Sequence, residues 1–246
     1  MSETSATLSS SARLFVDVAL SAGLTVPLSG PASHYLGGVM RLGVGDTVRL
    51  FDDRSGEWVA RIVEAGRKQV TVTIADHLAV RESVADLWLC AAPLKRGRID
   101  WVAEKACELG VARFVPVVTR RTVVDKLNLD RLRAHMIEAA EQCGRTALPE
   151  MAETVTLAKM LAEWPRGRAL IFADETGGAP LAETLRGVPA PAAILIGPEG
   201  GFTPEERLAI RAVPEAVAVS LGRRILRADT AAAVAVGVWQ AVAGDG

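Results

Sequence analysis

Residues 194–227 begin Ile194-Leu195-Ile196-Gly197-Pro198-Glu199-Gly200-Gly201-Phe202-Thr203-Pro204-Glu205-Glu206. After a helix's length they end Leu221-Gly222-Arg223-Arg224-Ile225-Leu226-Arg227. An apolar run opens into a Gly-rich loop, and a helix start follows at once. Thr203 is placed to cap that helix, Pro204 suits its first position, and Glu206 completes a capping box. Three glycines among positions 197–201 let backbone approach a ligand closely and tolerate positive φ. A loop that leaves a buried strand and opens a helix lies where open α/β sheets bind ligands, beyond the carboxyl ends of the strands. The spacing is not that of a dinucleotide fingerprint, and no Walker sequence occurs in the chain, so a phosphate cradle is disfavoured. From the residues alone, this loop is either a tight turn or a ligand loop.

The second half, 221–227, alternates apolar residues with arginines, and Asp229 or Thr230 is expected to cap the helix after it. That terminal stretch, 231–243, is rich in Ala and Val and suits close packing in the core or against a second copy. Working back along the chain, apolar runs at 87–94, 113–118, 169–173 and 192–196 alternate with helical patterns, including 99–109, stopped by Gly110, and 130–143. This rhythm predicts a mostly parallel sheet covered on both faces. Lys95-Arg96-Gly97-Arg98 leaves the first of these strands and Arg120-Arg121 the second. Three basic loops at one sheet edge would form a local cationic patch, although the net charge is only −1.

Upstream the pattern differs. Short candidate strands at 13–16, 26–28, 48–51, 58–63 and 70–74, with a helical turn at 34–40, suggest a small β-barrel. With seven basic and eight acidic residues over positions 1–80, that barrel is not broadly cationic. Residues 77–86 are polar and aperiodic, as a linker would be, so the expected division is 1–78 and 79–246. Cys90, Cys107 and Cys143 form no CxxC pair, and with only His34, His77 and His135 beside them no metal site is expected. The first twelve residues lack a signal peptide's features, and 231–243 is too short to span a bilayer. A soluble cytoplasmic protein is the expectation. Cys143 has no evident His/Asp partner that would make it a nucleophile.

With these residues in view the chain resembles the ribosomal RNA small-subunit methyltransferase E family of the SPOUT superfamily. The resemblance rests on 194–201 with 221–231, on Lys105 with Glu108-Leu109-Gly110, and on Glu141-Gln142-Cys143-Gly144-Arg145. Arg13-Leu14-Phe15, Tyr35-Leu36, the stretch from Val39 through Gly45-Asp46, and Leu50-Phe51 resemble that family's N-terminal PUA-like barrel. It implies a SPOUT-type parallel sheet with a trefoil knot behind a PUA-like β-barrel that binds RNA. It also implies transfer of a methyl group from S-adenosylmethionine to N3 of a uridine in small-subunit ribosomal RNA, by a homodimer without a metal.

Carried over by position, the cofactor pocket would be lined by Ile196, Gly197, Pro198, Glu199, Gly200 and Gly201, with Leu221, Gly222, Ile225 and Leu226. Uridine N3 must lose a proton before it can attack, so an arginine near the base carbonyls would help, as in an oxyanion site. Arg227 and Arg224 are the candidates, and Glu199 is the candidate proton acceptor. Arg13, Lys95, Arg98, Lys105 and Arg145 are the expected RNA contacts. Asp229 departs from the family, which usually has Glu there. Two competing readings are a SPOUT methyltransferase acting on another RNA, such as transfer RNA, and a non-catalytic RNA-binding or ribosome-assembly factor of the same fold.

Overall fold

The computed structural model describes residues 11–124, 126–174 and 176–244, so the Ser/Thr-rich start, Met1 to Ser10, lies outside the described residues. The chain forms two compact units. The first comprises residues 1–83 with 140–147, and the second 84–139 with 148–246.

The first unit is a curled five-stranded sheet of β1 (Arg13–Phe15), β2 (Thr25–Ser29), β3 (Thr47–Phe51), β4 (Glu57–Ala65) and β5 (Gln69–Ala79), in the order β1-β3-β4-β5-β2. Alternation does the sorting. In β2, Val26 and Leu28 point inward while Thr25, Pro27 and Ser29 face solvent. The inward residues join Leu14, Leu36, Val48, Leu50, Ile62 and Val72 in one core. β5 extends through residues 77–79, which the sequence pattern assigns to a linker. Trp58 pairs with His77 across the ladder and their rings pack at a tilt, 4.5 Å between centroids, giving this polar stretch a partner that local composition cannot reveal.

Asp52 holds the turn between β3 and β4. Its carboxylate accepts backbone N–H groups from Leu20, Arg54, Ser55 and Gly56 and the Ser55 hydroxyl. Burial alone would raise its pKa. The hydrogen bonds outweigh that effect and keep the pKa below the ordinary 3.8. A depressed folded pKa means this stabilisation is complete above 3.8 and is lost as pH falls through the folded value. Asp52→Ala is expected to lower unfolding stability by about 2–3 kcal/mol at neutral pH and to flatten the acid limb of a urea-midpoint titration. An unchanged midpoint would contradict this assignment.

The second unit is a parallel sheet. β6 (Leu87–Ala91), β7 (Arg113–Val118), β8 (Glu150–Met151), β10 (Ala169–Ala173), β11 (Ala179–Pro180), β12 (Ala192–Ile196) and β13 (Ala216–Ser220) run in the order β11-β13-β10-β12-β6-β7-β8, and β9 (Val155–Thr156) pairs with β7. The helices are α1 (Arg98–Glu108), α2 (Leu129–Cys143), α3 (Leu157–Ala162), α4 (Leu181–Leu185), α5 (Pro204–Arg211) and α6 (Ala228–Ala243). All five residues of β12 are buried, as expected for a strand covered on both faces. The order has one consequence for function: β12 lies between β10 and β6, so β13, β10 and β12 are adjacent and their carboxyl ends meet. No helix among the described residues is long and apolar enough to cross a membrane.

Candidate active site

Three loops leave those three carboxyl ends: 174–178 after β10, 197–203 after β12 and 221–227 after β13. The middle one is set by local chemistry. Gly201 N–H closes a turn on Pro198 O at 2.8 Å, with Gly201 at φ 66°, a conformation that disfavours a side chain. The capping box forms as expected. Thr203 Oγ1 accepts from Glu206 N–H at 3.2 Å, and the Glu206 carboxylate accepts from Thr203 N–H at 2.9 Å. The second oxygen of Glu206 accepts from Arg120 N–H at 2.7 Å, which ties the loop after β7 to the same helix start. Arg121 donates to Gly200 O at 2.6 Å, and its stem would stand 3.3 Å from any Cβ at position 200.

Together the loops enclose a cavity of about 330 Å³, within the usual range for small-ligand pockets. Ile196, Gly197, Pro198, Glu199, Gly201, Leu221, Gly222, Ile225 and Leu226, the positions carried over from the resemblance, all line it, whereas Gly200 packs on Arg121. Sequence reasoning missed the third wall: Ala173, Asp174, Thr176, Gly177 and Gly178. A signal for it exists, since an apolar strand there also ends in paired glycines. Gly178 passes so close to Val219 that a Cβ would lie 2.7 Å from its backbone.

Asp174 anchors that wall. Its side chain is fully buried, accepting from Thr176 N–H and Oγ1 at 2.9 and 2.7 Å and from Arg211 at 2.7 Å, with Arg207 at 3.5 Å. Burial pushes its pKa up, but the Thr176 hydrogen bonds and the Arg211 charge prevail and hold it low. Through Asp174 the loop after β10 is pinned to α5, and so to the loop that α5 terminates.

Arginines form the rim. Arg223, Arg224 and Arg227 are exposed, and the first two line the cavity. The expectation that Asp229 or Thr230 caps α6 is corrected. The helix starts at Ala228 with Arg227 as its N-cap and no side-chain cap. Asp229 instead accepts from Thr230 N–H at 2.8 Å and faces Arg98 at 3.9 Å. Arg98 also pairs with Glu199 at 3.3 Å, so it bridges a carboxylate of the Gly-rich loop and one in the first turn of α6. Lys95 is exposed beside it.

Two expected RNA contacts fail. Arg13 is buried, paired with Glu57 at 2.9 Å, stacked on the Phe51 ring at 3.9 Å and donating to the Ala140, Gly144 and Arg145 carbonyls. It closes off the last carbonyls of α2, so its charge serves the first unit's interior. Arg145 is likewise buried, with Glu82 at 3.6 Å. Lys105 is half-buried and occupied by Glu108 at 2.6 Å. Cys90 is sealed in the sheet, where burial pushes its thiol up to about 12, which keeps it protonated and inert. Among the described residues no group of three or more His, Cys, Asp or Glu could hold a metal ion.

Against known proteins, residues 80–240 match the RNA methyltransferase domain family and residues 28–75 the RNA methyltransferase PUA domain family. The ribosomal RNA small subunit methyltransferase E of Rickettsia conorii is 30% identical over 208 residues, covering 82% of this chain and 84% of the relative. That of Synechocystis is 32% identical over 220 residues, covering 86% and 71%. Among solved structures, a Legionella pneumophila methyltransferase in complex with the cofactor SAM superposes with a TM-score of 0.85 at 32% identity, covering 96% of this chain and 99% of that one. The small subunit methyltransferase E of Neisseria gonorrhoeae, bound to S-adenosyl methionine, gives a TM-score of 0.87 at 27% identity with the same coverage. Both units are thus accounted for over nearly the whole chain, and the chain belongs to the ribosomal RNA small subunit methyltransferase E family.

Proposed function

We propose that this protein methylates N3 of a specific uridine in small-subunit ribosomal RNA with S-adenosylmethionine as donor, acting as a cytoplasmic homodimer. The observation that carries this reading is the cavity itself. Backbone of three loops and the apolar side chains of Ile196, Leu221 and Leu226 wall it, and arginines stand at its mouth. The residues suit the cofactor. Apolar walls with exposed backbone groups suit a flat adenosine. When bound, the cofactor supplies an electrophilic methyl group on a sulfonium, and an in-line displacement of this kind depends chiefly on positioning.

The protein must then make uridine N3 nucleophilic. Arg227 and Arg224 carry the charge that stabilises the deprotonated base through its carbonyl oxygens. Glu199 is the proton acceptor in this scheme, and Arg98 orients it. Glu199→Gln is expected to reduce kcat at neutral pH about 10-fold or more, with partial recovery as pH rises and hydroxide removes the proton instead. A pH-independent deficit would take the proton-acceptor role away from Glu199.

The trefoil knot belongs to the same reading, supported by the placement of β12 between β10 and β6 after β10 is already in the sheet. The dimer is supported by α6, which buries Ala232, Ala235 and Val236 while leaving Val234 and Val242 partly exposed. The division into an RNA-binding first domain and a catalytic second belongs to the same reading, supported by the separate family matches at residues 28–75 and 80–240. The decisive experiment maps modified nucleosides by mass spectrometry in ribosomal RNA from a deletion strain, before and after complementation. Loss of one N3-methyluridine, restored by the wild-type gene, is the expected result. An unchanged RNA profile with S-adenosylmethionine still bound in calorimetry would overturn the substrate. No cofactor binding would favour a non-catalytic factor.

A further inference from the structure

A second feature of the first unit is unexplained by its own packing. After β2 the chain makes a short helical turn, Pro31–Ser33, that widens into a π-helical turn, His34–Val39. Leu36, fully buried, and Leu42, partly so, root this segment in the core. The large apolar side chains beside them face out: Tyr35 is 37% exposed, Val39 59%, Met40 38% and Val44 69%. Arg41 is exposed in the left-handed region at φ 56°, a conformation that side chains avoid and that persists where function uses it. Arg61 reaches across to donate to Gly45 O at 2.8 Å and is itself exposed. The nearby acidic group, Asp46, is turned onto Gly43 N–H at 2.8 Å.

Gly37 is the most informative residue. It lies in a helical turn, where glycine is less favourable than alanine. Its φ is not positive, and a Cβ there would meet nothing within 4 Å. The fold gives no steric reason for glycine at this position, and its backbone is open to approach from outside. Gly38 differs, because its missing Cβ leaves room for the His34 ring at 3.0 Å.

An exposed aromatic ring, a small apolar surface, open backbone and two arginines without ion pairs among the described residues fit one chemistry. We infer that residues 34–44 dock unstacked bases of single-stranded RNA, with Tyr35 as stacking platform, Gly37 as the close-approach point and Arg41 and Arg61 on the phosphates. Aromatic stacking with flanking cations is how single-stranded RNA is gripped. The inference rests on the RNA-methyltransferase reading but assigns a surface apart from the cofactor cavity.

The test uses the full-length protein with small ribosomal subunits lacking the modification, and with protein-free small-subunit ribosomal RNA. Tyr35→Ala is expected to raise KM for both RNAs about 10-fold, with kcat and S-adenosylmethionine affinity unchanged. Arg41→Ala should raise KM several-fold and reduce the salt dependence of binding by about one phosphate contact. Gly37→Ala should raise KM while leaving thermal stability equal or higher, a combination that a merely structural role would not produce. Ultraviolet cross-linking of the wild-type protein should place RNA on residues 34–44, a readout independent of methyl transfer. If no RNA is methylated at all, the enzymatic reading fails while the cross-links still decide this surface. Unchanged KM in all three variants, or cross-links only elsewhere, would overturn the inference. Weakened binding to subunits with unchanged binding to protein-free RNA would overturn it too, assigning the surface to a ribosomal protein.

Discussion

Replacing Arg227 with alanine is expected to lower kcat for RNA methylation by about 10²–10³-fold while leaving the fold and cofactor affinity intact. The separation of effects follows from how the residue is held. Its backbone supplies the N-cap of α6, with its carbonyl accepting from Ala231 N–H at 2.8 Å, a role that alanine fills because no side-chain cap is involved. The guanidinium is exposed, so its removal leaves no cavity and no stranded buried partner. What is lost is a permanent positive charge between the cavity-lining residues Leu226 and Ala228. A lysine there keeps the charge but not the planar fork that can meet a base carbonyl, so Arg227→Lys should fall between wild type and alanine. Single-turnover methylation followed by nucleoside mass spectrometry checks this, beside calorimetry with S-adenosylmethionine. Wild-type turnover by the alanine variant would remove Arg227 from the mechanism, leaving Arg224 as the candidate.

The second large effect is expected at a residue that touches no reacting atom. Asp174→Ala removes a fully buried carboxylate and with it the ion pairs to Arg207, only 18% exposed at its side chain, and to Arg211. Breaking such a pair from one side costs about 3 kcal/mol, and here the loss also frees the loop that forms one wall of the cavity. Cofactor affinity should therefore fall together with stability. The pH dependence has a definite sign. The folded carboxyl has its pKa held below the ordinary 3.8, so its contribution is whole above 3.8 and disappears as pH drops through the folded value. Urea unfolding as a function of pH should show wild type and variant converging on the acid side. A variant with normal cofactor affinity despite reduced stability would show that the wall does not depend on this anchor.

Legibility followed the range of the interactions. The capping box at Thr203 and Glu206 was readable because both partners lie within one helical turn. So was the alternation in β2, since it is written in neighbouring residues, whereas the lining along 196–199 and 221–226 came from the family resemblance and Gly200 fell outside it. Arg13 and Arg145 show where such reading fails. An arginine in a sequence suggests surface and phosphate, and nothing local tells that Glu57 and three carbonyls some 130 positions away enclose Arg13. The wall at 174–178 was missed for a related reason. Its glycines mean little until β10 is known to lie between β13 and β12.

By itself the sequence determined the main strands and helices, the helix start at Thr203 and the two glycine- and arginine-bearing loops, because propensity, capping and periodicity act over a few residues. Only the tertiary structure decided which charges are available. Strand order brings three loops to one edge, joins Arg98 to both Glu199 and Asp229, buries Asp174 beneath Arg207 and Arg211, and leaves Tyr35 and Arg41 uncovered. These outcomes depend on burial and on partners distant in the chain, and both are set by how the strands stack.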